Sequence, residues 1–242
     1  MGSDQLRFRP CSGILSARTT LRKIDSEKST KETCLSNRKE IHDRVLNASN
    51  KEELRDVYSE WADKYDHDLL NEMGYKAPVA AGRMLQDYLK DKAARVLDAG
   101  CGTGIVGELL HQDGYLNIEG LDYSEQMLEK AREKAVYKNL SQGDLMGRLD
   151  IAENTYDAII SVGTFTCGHV GPAALGELVR ITKPGGFICF TVRDQAWDED
   201  NYHAEMGKIE KNGLWKRLEE RTEDYIQDDS SSCKVCLYQI TA

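Results

Sequence analysis

The sequence lacks an apolar run that could cross a membrane, since none approaches the roughly 18 residues that a span requires. Its seven cysteines are odd in number and scattered, which indicates a reducing compartment rather than a disulfide framework. The C-x-x-C pair Cys233 and Cys236 has no second pair or histidine cluster to complete a zinc site. These absences predict a soluble, cytoplasmic protein without a metal.

Positive charge is scarce over most of the chain. The 32 Lys and Arg residues face 41 Asp and Glu residues, a net charge of -9. Residues 1–40 hold nine basic and five acidic side chains, so the remaining 202 residues hold 23 and 36. An acidic body repels phosphate backbones, which argues against a nucleic-acid substrate. A small-molecule substrate is more consistent with this charge, and a protein partner remains an alternative.

The N-terminal segment has no pattern that could bury surface. Residues 1–49 are rich in Ser, Thr, Lys and Arg, which predicts a disordered basic tail. Its first 23 residues carry a single acid, so a mitochondrial transit peptide is the alternative to a cytoplasmic location. The folded domain is predicted over residues 50–242.

The first part of that domain, residues 50–94, is predicted to be helical and to precede the sheet. Asn50 is the candidate N-cap, with Glu53 as its capping-box partner. Trp61 and Tyr65 follow at helical spacing with Leu54 and Tyr58, which gives one aromatic helix face. Because this helix lies outside any strand–helix–strand crossover, we expect it to be a lid.

Strand and helix signals alternate over residues 95–242. The strand candidates are 95–99, 117–121, 140–142, 156–162, 187–193, 214–225 and 234–240. The helix candidates are 104–112, 124–137, 172–182 and 202–211. This order predicts an α/β fold with a doubly wound, mostly parallel sheet that ends in an antiparallel hairpin.

A glycine-rich turn follows the first predicted strand at Val96–Gly104. Glycines at such a turn let a cofactor approach the backbone closely. The dinucleotide fingerprint G-x-G-x-x-G fails when it is read from Gly100 and is satisfied by Gly102, Gly104 and Gly107, so the glycines alone leave the cofactor open. Asp98 would oppose a pyrophosphate but would suit a ligand that carries an ammonium and a sulfonium. Charge therefore favours S-adenosylmethionine over NAD.

Further cofactor residues are predicted at the ends of the next two strands. Asp122 ends the second strand at about the offset where a carboxylate meets ribose hydroxyls, with Tyr123 beside it. Met127 could lie on the adenine face. Asp144 could accept a hydrogen bond from the adenine amino group, beside the backbone of Leu145.

Acceptor-side candidates follow the fourth and fifth strands. His169 lies in the turn after the fourth strand, on the ligand side of a doubly wound sheet, and is a candidate general base. Arg193 and Trp197 follow the fifth strand and could shape a pocket for an anionic or aromatic group.

The glycine motif with its two spaced acids resembles the class I, seven-strand methyltransferases, over about residues 53–195. Val57–Asp66, Tyr75–Pro78 and Leu178–Gly186 resemble the Williams–Beuren syndrome chromosome region methyltransferase-like group within that class. The resemblance implies a seven-stranded sheet whose last strand is antiparallel.

The resemblance also implies which residues contact the cofactor. Trp61 and Tyr65 would close over its methionine end, and the other implied lining residues are Gly100, Gly102, Asp122, Met127, Asp144, Leu145 and Ser161.

Two subclasses are disfavoured, because the segment 161–164 reads Ser-Val-Gly-Thr. It lacks the Asp/Asn-Pro-Pro-aromatic signature of nitrogen methylases and the Asp that holds magnesium in catechol-type enzymes. The sequence therefore predicts S-adenosylmethionine-dependent methyl transfer to a small molecule. The alternatives are a cofactor-binding module with vestigial catalysis, a protein acceptor, and a nicotinamide oxidoreductase that uses the shifted glycine register.

Overall fold

The computed structural model describes residues 41, 44, 51–166, 170–227 and 231–241. The chain divides into two units, and every element named below lies in the second, residues 44–242. The predicted tail, residues 1–49, and the predicted cap Asn50 lie outside the described residues, except that Ile41 and Arg44 are helical.

Helices and strands alternate through the domain. The helices are α1 (Lys51–His67), α2 (Ala77–Tyr88), α3 (Ile105–Gln112), α4 (Glu125–Glu133), α5 (Ala174–Ile181), α6 (Asp194–Glu199) and α7 (Tyr202–Lys211). The strands are β1 (Val96–Ala99), β2 (Ile118–Asp122), β3 (Asn139–Gln142), β4 (Tyr156–Phe165), β5 (Thr182–Arg193), β6 (Trp215–Ile226) and β7 (Ser231–Ile240). A π-helical turn, Asp68–Glu72, continues α1. Within the described ranges, no helix is both long and apolar enough to span a membrane.

The strands form one seven-stranded sheet in the order β3-β2-β1-β4-β5-β7-β6. Neighbours from β3 to β5 are parallel, whereas β7 runs antiparallel to β5 and β6. The predicted seven-stranded α/β sheet with its antiparallel last strand is thus confirmed. The chain moves outward from β1 in one direction and then, from β4, in the other, so a crevice opens at the carboxyl ends of β1 and β4.

Helices cover both faces of this sheet. Ile188 and Phe190 of β5 belong to a buried cluster that includes Leu175 of α5 and Met206 of α7. Cys189, between them, donates its thiol to a carbonyl of α2 at 3.4 Å. Because alternate side chains of a strand point to opposite faces, α2 lies on the face opposite to α5 and α7.

Four predicted boundaries were wrong by three residues or more: β7 begins at Ser231 rather than at 234, and the other three differ for local reasons. Helix α4 ends at Glu133, before the predicted Tyr137, because Ala135 adopts a φ of +53°, which is incompatible with a continuing helix. Strand β5 begins at Thr182, and a register shift accommodates Gly185, which has a φ of +82°. Strand β4 runs on to Phe165 through an irregularity after Ser161. Helix α6 was not predicted.

Candidate active site

A cleft lies at the carboxyl ends of β1 to β4, beside α1. We call it the active-site cleft and define it by the described residues that line it: Tyr58, Tyr65, Gly100, Gly102, Leu121, Asp122, Tyr123, Ser124, Met127, Gly143, Asp144, Leu145, Val162, Gly163, Thr164 and Val170. Eight of the eleven predicted cofactor residues are in this set.

The turn after β1 brings backbone to the cleft at Gly100 and Gly102. Gly100 has a φ of +76°, and a Cβ there would come within 2.2 Å of the Thr164 hydroxyl. Gly102 has a φ of +54°, and a Cβ there would meet no atom within 4 Å. Glycine is therefore required at Gly100 by packing, whereas at Gly102 it leaves open space beside the backbone.

The next two glycines face away from this space and pack against Tyr137. A Cβ on Gly107 would lie 2.2 Å from the Tyr137 hydroxyl oxygen, and one on Gly104 would lie 2.9 Å from the Tyr137 ring. The Tyr137 hydroxyl donates to Asp98 Oδ2 at 2.7 Å. Gly107, the third glycine of the shifted G-x-G-x-x-G fingerprint, thus makes room for Tyr137, whose hydroxyl group donates to Asp98.

Asp98 lies behind the glycine turn and does not line the cleft. It is fully buried. Burial raises the pKa of Asp98 to about 7, although the hydrogen bond from Tyr137 partly offsets this effect. Its Oδ1 has no hydrogen-bond partner in the part of the chain that the structure describes. Direct contact between Asp98 and a cofactor stays a prediction.

Asp122 is the carboxylate that β2 presents to the cleft. Its Oδ2 accepts from the Gly102 amide and its Oδ1 from the Ser124 amide, both at 2.8 Å. Burial raises the pKa of Asp122, while these amide hydrogen bonds lower it. The Ser124 hydroxyl accepts from the Met127 amide at 3.3 Å, so Ser124 is the N-cap of α4 and fixes Met127 beside the cleft.

The predicted adenine-side residues line the same cleft at the end of β3. Asp144 Oδ1 accepts from the Met146 amide at 2.9 Å, so the side chain is held in a local turn. Leu145 is 5% exposed. Tyr123, by contrast, is 41% exposed at the cleft rim.

Helix α1 contributes Tyr65, as predicted, but not Trp61. The Trp61 indole is 3% exposed and donates to Asp68 Oδ2 at 2.8 Å. Tyr58 lines the cleft instead, with its ring centroid 6.0 Å from that of Tyr65. Sequence reasoning missed Tyr58 as a site residue, although its spacing of seven places it on the same helix row as Tyr65.

Helix α1 is anchored to the glycine turn and to α4 by polar contacts. The Thr103 hydroxyl donates to Asp66 Oδ1. Lys134 Nζ lies 2.6 Å from Asp66 Oδ2 and 2.9 Å from Glu108 Oε2. Lys130 Nζ lies 2.7 Å from the exposed Asp63. These contacts hold the predicted lid helix against the body.

Three of the remaining predicted residues, Ser161, Arg193 and Trp197, are not among the described residues that line the cleft. Ser161 is buried and donates to the Ala99 carbonyl at 2.7 Å. Trp197 is 6% exposed and packs with its ring centroid 4.4 Å from that of His203, so it belongs to the core. Arg193 is the last residue of β5, with its guanidinium carbon 5.6 Å from the centroid of the Tyr225 ring. His169 lies outside the described residues, and its role as a base stays a prediction.

Comparison with known proteins places the chain in a family. A family model described as a methyltransferase domain matches residues 96–186. Human methyltransferase-like protein 27 is 35% identical over 167 residues, which are 66% of this chain and 67% of the human protein. The chain belongs to the class I S-adenosylmethionine-dependent methyltransferases. This confirms the class predicted from its motifs.

Other matches are more distant. The malonyl-acyl-carrier-protein O-methyltransferase of Pectobacterium atrosepticum is 36% identical over 126 residues, covering 52% of this chain and 45% of that protein. The chain thus spans less than half of this bacterial relative. A solved structure of a candidate S-adenosylmethionine-dependent methyltransferase from Methanococcus maripaludis has a TM-score of 0.58 at 20% identity, over 76% of this chain and 94% of its own. That likeness shows the fold.

Proposed function

We propose that this methyltransferase binds S-adenosylmethionine in the active-site cleft and transfers its methyl group to a small molecule. The observation that carries the proposal is the pairing of open space at Gly102 with the Asp122 carboxylate, which is already oriented by two backbone amides. An oriented carboxylate with remaining acceptor capacity suits a ligand that presents hydroxyl groups.

The residues at this end of the cleft fit the cofactor. A Cβ on Gly102 would fill the space next to the backbone, so a glycine there supports close approach of a ligand. In the proposed arrangement Asp122 holds the ribose hydroxyls, Met127 and Leu145 flank the adenine, and Asp144 accepts from its amino group. When bound, the cofactor supplies an activated methyl group, so little further chemical help is required.

The protein contributes alignment and exclusion of water. Holding two reactants in line can supply on the order of 7–11 kcal/mol of the barrier. Tyr58 and Tyr65 of α1 line the cleft, so their helix is positioned to cover bound reactants.

The direct test is release of S-adenosylhomocysteine across an acceptor library, together with calorimetric binding of S-adenosylhomocysteine. Binding with turnover on a small molecule supports the proposal. Tight binding without turnover in any cell fraction favours a cofactor-binding module. Thermal stabilisation by NAD without stabilisation by S-adenosylmethionine would contradict the cofactor assignment.

A protein-borne acceptor is the second candidate. It is favoured by the bacterial relative whose name specifies an acyl group on a carrier protein. Label from S-adenosylmethionine that precipitates with protein, rather than staying in the low-molecular-mass fraction, would select it.

A further inference from the structure

Tyr137 lies in the segment between α4 and β3, behind the glycine turn. The positive φ of Ala135 turns the chain out of α4. The amide of Lys138 then donates to the Ile118 carbonyl of β2 at 2.7 Å, which pins the segment to the sheet. The Tyr137 side chain is half-buried there. Its position is therefore set by the turn before it and by the hydrogen bond after it.

Three glycines leave room for the Tyr137 ring. A Cβ on Gly107 of α3 would lie 2.2 Å from its Cζ atom, and one on Gly104, at the start of α3, would lie 2.9 Å from its Cε2 atom. A Cβ on Gly120 of β2 would lie 3.1 Å from its Cε1 atom. A methyl group at any of these positions would press on the same ring. The sequence thus reserves one space, between α3 and β2, for Tyr137.

The Tyr137 hydroxyl group holds one oxygen of Asp98 and leaves the other oxygen for a further partner. It donates to Oδ2 at 2.7 Å, whereas Oδ1 has no hydrogen-bond partner among the residues that the structure describes. Burial and the charge of Asp98 raise the pKa of Tyr137 well above its ordinary value, so its hydroxyl group stays protonated. Because burying a carboxylate is costly unless it is hydrogen-bonded, this donor favours the charged form of Asp98.

The groups that face Asp98 from the neighbouring elements act in both directions. Burial raises the pKa of Asp98 most, the charge of Asp122 on β2 raises it further, and the backbone of Gly107 on α3 lowers it. In the glycine turn, burial raises the pKa of Cys101 well above its ordinary value, so that thiol is neutral. On β4, the register partner of Asp98 is the apolar Ile160. The contributions that favour the charged carboxylate are therefore hydrogen bonds.

Asp98 is close enough to the cleft to act on it through its charge. It comes two residues before Gly100, a lining residue, and it interacts electrostatically with Asp122, a second lining residue. Asp122 and Asp144 lie at one end of the cleft, which we call the acidic end. Charges interact over several ångströms in the interior of a protein, so a carboxylate behind the turn acts on a cation in front of it without contact.

We propose that Tyr137 is a positioning residue of the cofactor site: its hydroxyl group keeps Asp98 ionised behind the glycine turn, and that charge strengthens binding of the cationic cofactor at the acidic end. This inference rests on the proposed function. S-adenosylmethionine carries a sulfonium and an ammonium group, and the protein supplies compensating negative charge. Tyr137 is not among the described residues that line the cleft, so it acts through Asp98.

The test is calorimetric titration of S-adenosylmethionine, without an acceptor, into the full chain from about pH 5.5 to about pH 8. The parent should bind more weakly as the pH falls through the pKa of Asp98, about 7. Tyr137→Phe keeps the ring and removes the hydroxyl donor, so its pH dependence should move up by about one to two units. Near neutral pH it should therefore bind severalfold more weakly than the parent.

Tyr115→Phe is the matched control. Tyr115 is a buried tyrosine whose hydroxyl group donates to the Leu89 carbonyl, and it is not among the described lining residues. Its pH dependence should coincide with that of the parent. If Tyr137→Phe has the same profile as Tyr115→Phe, or binds more weakly by one factor at every pH, Tyr137 only packs and the inference is wrong. A parent that binds equally at every pH also overturns the inference but leaves the cofactor site standing, whereas a parent that never binds S-adenosylmethionine overturns the proposed function too.

A second substitution tests the hydrogen bond even if Tyr137→Phe does not fold. A ring-fluorinated tyrosine at position 137 keeps the ring and the hydroxyl group and is a stronger donor. It should move the pH dependence down, opposite to Tyr137→Phe, and an unchanged profile would overturn the inference. In an Asp98→Asn background, whose amide does not ionise, neither substitution should change the pH profile. A remaining effect there would show that Tyr137 does not act through Asp98.

Discussion

The two ends of the active-site cleft differ in charge and in hydrogen-bonding character. At the β2–β3 end, Asp122 and Asp144 accept hydrogen bonds. At the end beside β4 and α1, Tyr58 and Tyr65 line the cleft, and the hydroxyl oxygens of Tyr75 and Tyr225 lie 3.5 Å apart next to the lining residue Gly163. The acidic end therefore suits a ligand with hydroxyl groups and positive charge, whereas the tyrosine end offers hydroxyl groups and ring faces without a charged side chain among the described lining residues.

The largest effect is expected where the glycine turn supports the acidic end. Gly107→Ala should lower the free energy of unfolding by about 1–3 kcal/mol, because the new Cβ overlaps the half-buried Tyr137 ring. Gly176→Ala, in α5, is the control: its Cβ meets open space, and alanine favours helix. Urea unfolding of both variants measures the difference. Equal stability would show that Tyr137 moves aside freely.

Gly102→Ala should separate binding from stability. Its Cβ enters the space assigned to the cofactor, so S-adenosylhomocysteine should bind about 1–3 kcal/mol more weakly. Gly114→Ala shares the positive φ and the open surroundings but lies outside the cleft lining, so it controls for the backbone cost. Calorimetric titration gives both affinities. Equal affinity of Gly102→Ala and Gly114→Ala for S-adenosylhomocysteine would show that the cofactor does not bind next to Gly102.

Asp98 should make cofactor binding depend on pH. Because burial holds the pKa of Asp98 at about 7, the carboxyl group of the cofactor-free protein is neutral below that pH and charged above it. If Asp98 faces the ammonium group of S-adenosylhomocysteine, affinity should therefore fall by up to about tenfold per pH unit below this pKa and level off above it. Asp98→Asn should remove this dependence. If the affinity of the parent does not change between about pH 5.5 and about pH 8, Asp98 does not interact with the cofactor.

Ionisation of Asp98 should lower the stability of the cofactor-free protein, whereas it should strengthen cofactor binding. An acid with a raised folded pKa stabilises the fold below its ordinary pKa, about 4, and that stability is lost as the pH rises to about 7. The amide side chain of the Asp98→Asn variant does not ionise, so its stability does not fall over this pH range. The difference between the variant and the parent in unfolding free energy should therefore grow with pH over this window in the absence of cofactor.

A smaller effect is expected at the lid helix. Asp66→Asn breaks the half-buried ion pair with Lys134, so hydrogen exchange in α1 should quicken by the few-fold equivalent of about 0.2–1 kcal/mol. Asp63→Asn breaks a more exposed pair and should change exchange less. S-adenosylhomocysteine should slow exchange in α1 of the parent more than in β1. If hydrogen exchange in α1 responds neither to Asp66→Asn nor to S-adenosylhomocysteine, α1 is an ordinary packed helix rather than a lid.

The acidic end was largely predictable because its residues follow strand ends within one stretch of chain. Gly102, Asp122 and Asp144 could be placed there by counting from β1. The tyrosine end was not, because Tyr75 and Tyr225 meet only through tertiary packing, 150 residues apart in the sequence.

Helical spacing was informative but insufficient for α1. It correctly grouped Trp61 with Tyr65 on one face, yet the rows that matter are seven residues apart, which is nearly two full turns. Tyr58 and Tyr65 form the row toward the cleft, whereas Trp61 and Asp68 form a buried row. Which row faces the ligand depends on how the helix docks, and spacing alone does not contain that information.

The most direct test of the central claim is calorimetric titration of S-adenosylhomocysteine into the parent, Asp122→Ala and the exposed control Asp198→Ala. If the acidic end holds the cofactor, Asp122→Ala should lose about 1.5–3 kcal/mol of binding free energy, the range for hydrogen bonds to a charged group. Asp198→Ala, which changes an exposed side chain of α6, should match the parent. Unchanged affinity in a folded Asp122→Ala would contradict the account, because the cofactor would then lie outside the acidic end of this cleft.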